Sequence, residues 1–189
     1  MRLATLPSSS AKPCDDTALI KAAQQGDRAA FNRLLEAYYD IIHRFAFRLT
    51  GFAADADDLT QDVCVALASR IGSYRHQGSF QGWLYRLTLN ACRDQWRKAK
   101  FRSDNAQAYS DLERHLRAGS AEDARRAAWL YRAIARLEEP LRVTALLVLA
   151  EDMSHAEVGQ ILGCAESTIS WRMHEVKKHL RDRLEAGYD

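Results

Sequence analysis

Four aspartates stand within eight residues in "DADDLTQD" (residues 55–62), a density at which metal binding or acid–base chemistry is the first possibility to test. Asp55, Asp57 and Asp58 are too close along the chain to converge on one ion, and no distant His or Glu motif completes a ligand set. His43, His76, His115, His155, His174 and His179 are scattered. Cys14, Cys64, Cys92 and Cys164 lie far apart with no C-x-x-C pair, so neither a zinc knuckle nor a disulfide framework is indicated. An enzyme acting on nucleic acid needs convergent carboxylates or a nucleophile with its base, and neither arrangement is present. The pattern therefore predicts no catalytic centre, no metal and no cofactor. What remains is recognition chemistry: acids at a helix start make a solvated face favoured by the positive end of the helix dipole, and the same face can serve a partner.

Cations mark two further places. From Trp83 to Arg102, Arg86, Arg93, Arg97, Lys98, Lys100 and Arg102 face Asp94 alone, a net charge of +5. From Arg172 to Arg183, five cations stand against Glu175 and Asp182, a net of +3, whereas residues 103 to 124 carry a net of −3. Two basic patches flanking an acidic connector suit a polyanion bound at two places, a layout that the formal net charge of +2 conceals. In "YRLTLNACRDQWRKAKFR" (85–102) aromatic and basic residues interleave. Rings stack on unpaired bases and arginines neutralise phosphates, so this combination suits melted DNA better than duplex. Phe80 and Trp83, at core spacing, read as structural.

In "SHAEVGQILGCAESTISWRMHEVKKHL" (154–180), Ser154 and Glu157 have capping-box spacing, Val158, Ile161 and Leu162 give an apolar stripe, and Gly163 ends it. A second helix follows through Ile169, Met173, Val176 and Leu180. Two short helices about a glycine turn make either a plain helical hairpin or a helix-turn-helix whose second helix enters a major groove. In the latter case Ser167, Thr168, Ser170, Trp171, Arg172 and Glu175 include the positions able to face DNA. Arg172 can donate two bonds to a guanine edge or hold a phosphate. Trp171 reads first as a packing anchor beneath the helix and second as a DNA contact; Glu175 accepts from a cytosine amine or pairs with a neighbouring cation.

The elements that must position these residues are helices. With 47% hydrophobic residues, three prolines and nine glycines in 189 residues, the chain has too few breakers for a turn-rich β protein. Asp15 or Asp16 can cap a short helix through Leu19, Ile20 and Ala23. Asp27 can cap the next, whose stripe runs from Phe31 to Leu49 before Gly51. A third follows "DADD", with Leu59, Val63, Ala66, Leu67 and Ile71 on one face and Asp55, Asp58, Gln61 and Asp62 largely on the other. A polar, Gly-bracketed loop "GSYRHQGS" (72–79) precedes a fourth helix that Ser79 can cap. The expected plan is all-α: a disordered tail over 1–14, a four-helix domain over 15–102, a linker over 103–124, and a second helical domain over 125–186 with Pro140 in the first turn of "LRVTALLVLAEDM". No window is long and apolar enough to cross a membrane, and no signal peptide opens the chain, so a cytoplasmic protein without direct membrane insertion is expected.

Taken in order, "DADDLTQDV", "FQGWLYRLTLNACRDQWRK" and "SHAEVGQILGCAESTISWRMHEVKKHLRDRL" resemble bacterial RNA polymerase sigma factors of the extracytoplasmic-function group, and the resemblance covers roughly residues 15 to 185. It implies two helical domains, sigma region 2 and sigma region 4, in a dissociable, non-catalytic subunit that recognises and helps open promoters. It implies that Asp55, Asp58, Leu59, Gln61 and Asp62 dock on the clamp helices of the largest polymerase subunit, with the second-subunit flap as a further contact. Asn90, Arg93, Arg97 and Lys98 fall at positions near the minus-ten DNA. The loop carrying Tyr74, Arg75, His76 and Gln77 falls where the family captures a flipped-out base, whose unstacking costs a few kcal/mol that stacking and hydrogen-bonding groups must offset. The helix carrying Arg172 falls on the reader of the minus-thirty-five element, although Trp171 replaces a small residue and Glu175 a frequent arginine. The resemblance also implies an anti-sigma protein as regulator. A stand-alone helix-turn-helix regulator is the rival reading; it would use a dimer face and bind a palindrome unaided.

Overall fold

The computed structural model describes residues 16–98 and 121–185, and every element among them is helical. The chain divides into two compact units, one holding residues 16–98 and the other 121–185. The tail expected over 1–14 and most of the linker expected over 103–124 lie outside the described residues; helix is present from Ala121, inside the span expected to be linker.

The first unit comprises α1 (Thr17–Gln24), α2 (Arg28–Thr50), α3 (Ala53–Arg70), a 3-10 turn (Ile71–Ser73) and α4 (Phe80–Lys98). Asp27 caps α2 as its position predicts, accepting from the backbone N–H groups of Ala29 (2.8 Å) and Ala30 (3.1 Å). Gly51, in the left-handed conformation at φ +80°, ends it. Asp16 behaves differently from expectation. It makes no side-chain cap on α1; its carboxylate accepts a 3.0 Å bond from the Tyr38 hydroxyl and so ties the start of α1 to α2. The core is built from Leu34, Tyr38, Ile42, Phe45 and Leu49 of α2, Ala56, Leu59, Val63 and Leu67 of α3, and Phe80, Leu84, Tyr85 and Leu89 of α4. Thr60 and Thr88, fully buried among them, satisfy their hydroxyls on the carbonyls of Ala56 and Leu84 one turn back.

The second unit comprises α5 (Ala121–Ala135), α6 (Glu139–Ala145), a π-helical turn (Leu146–Ala150), α7 (His155–Leu162) and α8 (Glu166–Glu185). Pro140 lies in the first turn of α6, where its missing N–H costs nothing. The helix expected to run through "LRVTALLVLAEDM" instead widens after Ala145. The Glu151 N–H reaches back to the Leu146 carbonyl (3.1 Å), and Asp152 at φ +53° turns the chain toward the next cap. That cap is a complete capping box. The Ser154 N–H donates to Glu157 Oε2 at 2.9 Å, and the Glu157 N–H donates to Ser154 Oγ at 3.3 Å. Ile169, Met173, Val176 and Leu180 bury one stripe of α8 against α5, α6 and α7.

Candidate polymerase and nucleic-acid interfaces

Burial of one stripe of α3 decides which of its motif residues a partner can reach. Asp55, Asp58, Gln61 and Asp62 are exposed. Leu59 is not: it is fully buried beneath α2 and α4, so its place in the docking set is corrected to a core residue that holds α3 in position. The Asp62 carboxylate accepts a 3.0 Å bond from the Gln95 amide of α4, which leaves its second oxygen to a partner. Asp57 is turned toward α2, where its Oδ1 lies 2.8 Å from His43 Nε2. Sequence reasoning missed Val65, 73% exposed and one helical row on from Asp58 and Asp62. The signal was present, since Val65 falls off the Leu59–Val63–Leu67 stripe.

The loop after α3 has a buried floor and an exposed rim. Tyr74 was expected among the base-contacting groups; at 7% exposure it is corrected to the floor. Its ring packs edge-on against Phe80 (centroids 5.2 Å) and lies tilted against Trp83 (5.6 Å), and its hydroxyl donates to the Gly78 carbonyl at 2.9 Å. Burial pushes its phenol above the ordinary tyrosine range. Phe80 and Trp83 stack at 5.5 Å; Phe80 is buried, as expected, and Trp83 is half-buried. Arg75, His76 and Gln77 form the exposed rim, with His76 at φ +56°.

On α4, Arg86, Asn90 and Arg97 are exposed and Arg93 is half-buried; their spacing of four, three and four places them along one helical row. Arg97 also pairs with Asp94 in the same turn. Lys98 is the last residue of the helix. The row lies opposite the buried row of Leu84, Thr88 and Cys92, so the helix that anchors the core by one face carries cations on another.

On α8, Ser167, Ser170, Trp171 and His174 form an exposed row, while Thr168, Arg172 and Glu175 flank it half-buried. Trp171, expected to pack beneath the helix, is 61% exposed, which corrects that preference: Met173 and Ile169 take the packing positions. The Ser170 hydroxyl lies 2.9 Å from His155 Nδ1 at the start of α7, joining the two helices across the turn. Gly163, left-handed at φ +68°, ends α7. Among the described residues no group of three or more His, Cys, Asp and Glu converges as a metal site would require, and no helix is long and apolar enough to cross a membrane.

Residues 34–102 match the sequence family Sigma-70 region 2, and residues 127–180 match Sigma-70, region 4. The ECF RNA polymerase sigma factor SigM of Mycobacterium tuberculosis is 31% identical over 92% of this chain and 85% of its own length. SigW of Bacillus subtilis is 25% identical over 87% of this chain and 94% of its own. Among solved structures, CnrH in complex with the cytosolic domain of CnrY superposes with a TM-score of 0.67 at 25% identity, covering 92% of this chain and 99% of CnrH. The sigma factor RpoE of Bartonella quintana, solved with the anti-sigma factor NepR, shares the fold at a TM-score of 0.62 and 20% identity, covering 84% and 98%. With a region 2 unit presenting an acidic row and a cationic row and a region 4 unit whose last helix exposes a polar row, this chain is a member of the extracytoplasmic-function family of RNA polymerase sigma factors.

Proposed function

We propose that this sigma factor holds core RNA polymerase with the α3 row and reads a promoter with α4, the 74–78 loop and α8. The observation that carries the reading is the separation of charge within the first unit. The carboxylates Asp55, Asp58 and Asp62 and the cations Arg86, Arg93 and Arg97 stand on different helices outside the buried stripes, so polymerase and DNA do not compete for one surface. Asp55, Asp58, Gln61 and Asp62, joined by Val65, meet the clamp helices of the largest subunit, and the second unit lies near the flap of the second subunit. Asn90, Arg93, Arg97 and Lys98 follow the minus-ten strand, the three cations neutralising phosphates in a salt-dependent way and Asn90 contributing hydrogen bonds alone.

Opening the duplex costs a few kcal/mol for each base removed from its stack. Arg75, His76 and Gln77 are placed to offset part of that cost with hydrogen bonds to an unpaired base, and Tyr74 with Trp83 supplies the rigid aromatic floor beneath them. In the minus-thirty-five major groove, Ser167, Ser170 and Trp171 face the bases, with Arg172, Thr168 and Glu175 at the flank. The chain itself makes and breaks no covalent bond; the nucleotidyl chemistry belongs to the polymerase, and the site of action is the cytoplasm. CnrH binds the cytosolic domain of CnrY; by analogy an anti-sigma protein covers the polymerase-binding face of this chain until a signal releases it.

The test replaces Arg75, His76 and Gln77 with alanine in the full chain and assembles it with core polymerase. Binding to core and to the minus-thirty-five segment is expected to persist. Permanganate-reactive thymines are expected to vanish on a duplex promoter and to return in part on a template melted beforehand. Normal reactivity on the duplex refutes base capture by this loop. Footprinting the wild-type chain without polymerase separates this reading from a stand-alone regulator, which protects its palindrome unaided.

A further inference from the structure

The loop that carries Arg75, His76 and Gln77 is held from a distance by one side chain of α1. The Gln24 amide nitrogen donates to the carbonyls of Ile71 (3.0 Å) and Tyr74 (2.8 Å), and Gln24 Oε1 lies 3.1 Å from His76 Nε2. A carboxamide has two N–H bonds, and both are spent on these carbonyls. Reversing the amide would set its oxygen against two carbonyl oxygens, so the orientation is determined by the network itself. The oxygen can only accept. His76 Nε2 therefore carries the proton, and in the neutral ring Nδ1 is left as an acceptor.

His76 sits at φ +56°, a left-handed conformation that non-glycine residues avoid and that persists where the surroundings over-determine it. The surroundings do so here. Gln24 pins the loop at Ile71, Tyr74 and His76; the Tyr74 hydroxyl pins it at Gly78; and the Tyr74 ring lies 4.8 Å from the His76 ring. The anchor is firm in turn, because Ile20 and Ala23 bury α1 and Asp16 bonds Tyr38 of α2.

We propose that Gln24, outside both segments matched by the family, is the positioning residue that sets the 71–78 loop in its base-accepting form and His76 in a single tautomer. The inference rests on the reading of this loop as the base-capturing element. A loop ordered before DNA arrives does not lose its freedom at the moment of melting, so binding energy goes into holding the base. A neutral His76 with Nδ1 as acceptor pairs with an exocyclic amine, which adenine and cytosine offer and thymine lacks.

The variant is Gln24→Met, close in length and without the hydrogen-bonding amide. With core polymerase, duplex-promoter opening is expected to fall about tenfold, the scale of one or two net hydrogen bonds, with partial recovery on a template melted beforehand and core binding unchanged. Preference for an amine-bearing base over thymine at the captured position is expected to narrow, and hydrogen exchange of the Tyr74 amide, which bonds the Ile71 carbonyl at 3.1 Å, is expected to accelerate about tenfold in the free chain. Unchanged exchange and wild-type opening overturn the proposal. So does an equal loss on duplex and melted templates with weakened core binding, since Gln24 then acts through the fold. An imidazole nitrogen spectrum of the wild-type chain showing His76 protonated at Nδ1 and not at Nε2 overturns it as well. If the alanine loop opens promoters normally, the base-capture reading fails, and exchange with the tautomer still decides whether Gln24 holds the loop. If the alanine loop is impaired and Gln24→Met is not, only the role of Gln24 falls.

Discussion

Gly159 lies inside α7, where replacing glycine by alanine ordinarily stabilises a helix by about 1 kcal/mol. The turn into α8 reverses that expectation. A Cβ built at Gly159 stands 2.8 Å from the Cys164 carbonyl oxygen, with Glu166 N at 3.6 Å and the Ala165 carbonyl carbon at 3.8 Å. All three are backbone atoms, so no rotamer change relieves the contact, and the Cys164 N–H is itself bonded to the Gly159 carbonyl at 3.0 Å. Overpacking of this kind costs roughly 1 to 3 kcal/mol, which outweighs the helix gain and leaves a net loss of about 1 kcal/mol. For a unit of this size that corresponds to a fall of roughly 4 to 8 °C in Tm. The strain is relieved by moving the start of α8, the end that carries Ser167, Ser170 and Trp171, so minus-thirty-five affinity in the holoenzyme is expected to fall further than stability alone explains. Thermal unfolding of the full chain by circular dichroism, paired with competition binding to a labelled minus-thirty-five duplex in the presence of core polymerase, measures both. A Tm raised by Gly159→Ala, with promoter affinity unchanged, refutes the argument that the close approach governs the turn.

Three further outcomes follow from burial and contact. Val65→Asp is expected to change stability by less than about 0.5 kcal/mol, yet to weaken core-polymerase binding, whereas Leu59→Ala is expected to cost about 2 to 5 kcal/mol of stability; melting curves and a core pull-down of the folded proteins distinguish docking from packing. Trp171→Ala is expected to leave Tm nearly unchanged and to cost about 1 to 3 kcal/mol in promoter binding with altered base preference; a Tm loss without a binding loss returns the residue to the core. Burial, reinforced by the Asp16 contact, raises the Tyr38 phenol above its ordinary value near 10. Above that pH the unfolded chain loses the proton first, so stability falls by up to about 1.4 kcal/mol per pH unit, and Tyr38→Phe is expected to flatten the alkaline limb of a urea-midpoint titration.

Much of the architecture was legible in the sequence because it rests on local physics. The stripe of Ile169, Met173, Val176 and Leu180, the Ser154–Glu157 capping box, the Asp27 cap, Gly51 and Gly163 at helix ends and Pro140 in a first turn all depend on residues within a few positions of one another. The acidic and cationic rows were legible for the same reason, since a helix assigns each side chain to a face by its spacing. What spacing cannot tell is which neighbour covers a face. Spacing did put Leu59 on the apolar stripe and Val65 off it, so the burial of Leu59 overrules only the docking role that the resemblance implied. Tyr74 looks like a polar-loop residue until Phe80 and Trp83 arrive beneath it, and Trp171 looks like a packing anchor until Met173 and Ile169 occupy the interior. The π-helical turn after Ala145 carries no breaker that would have announced it. Gln24 is an unremarked residue at the end of a short helix; its role exists only because folding brings Ile71, Tyr74 and His76, 47 to 52 positions away, within hydrogen-bond distance of one amide. Local periodicity determined the elements and the charge each presents, whereas burial and long-range hydrogen bonds, which depend on the packing of those elements, decided which side chains are left free to meet polymerase and DNA.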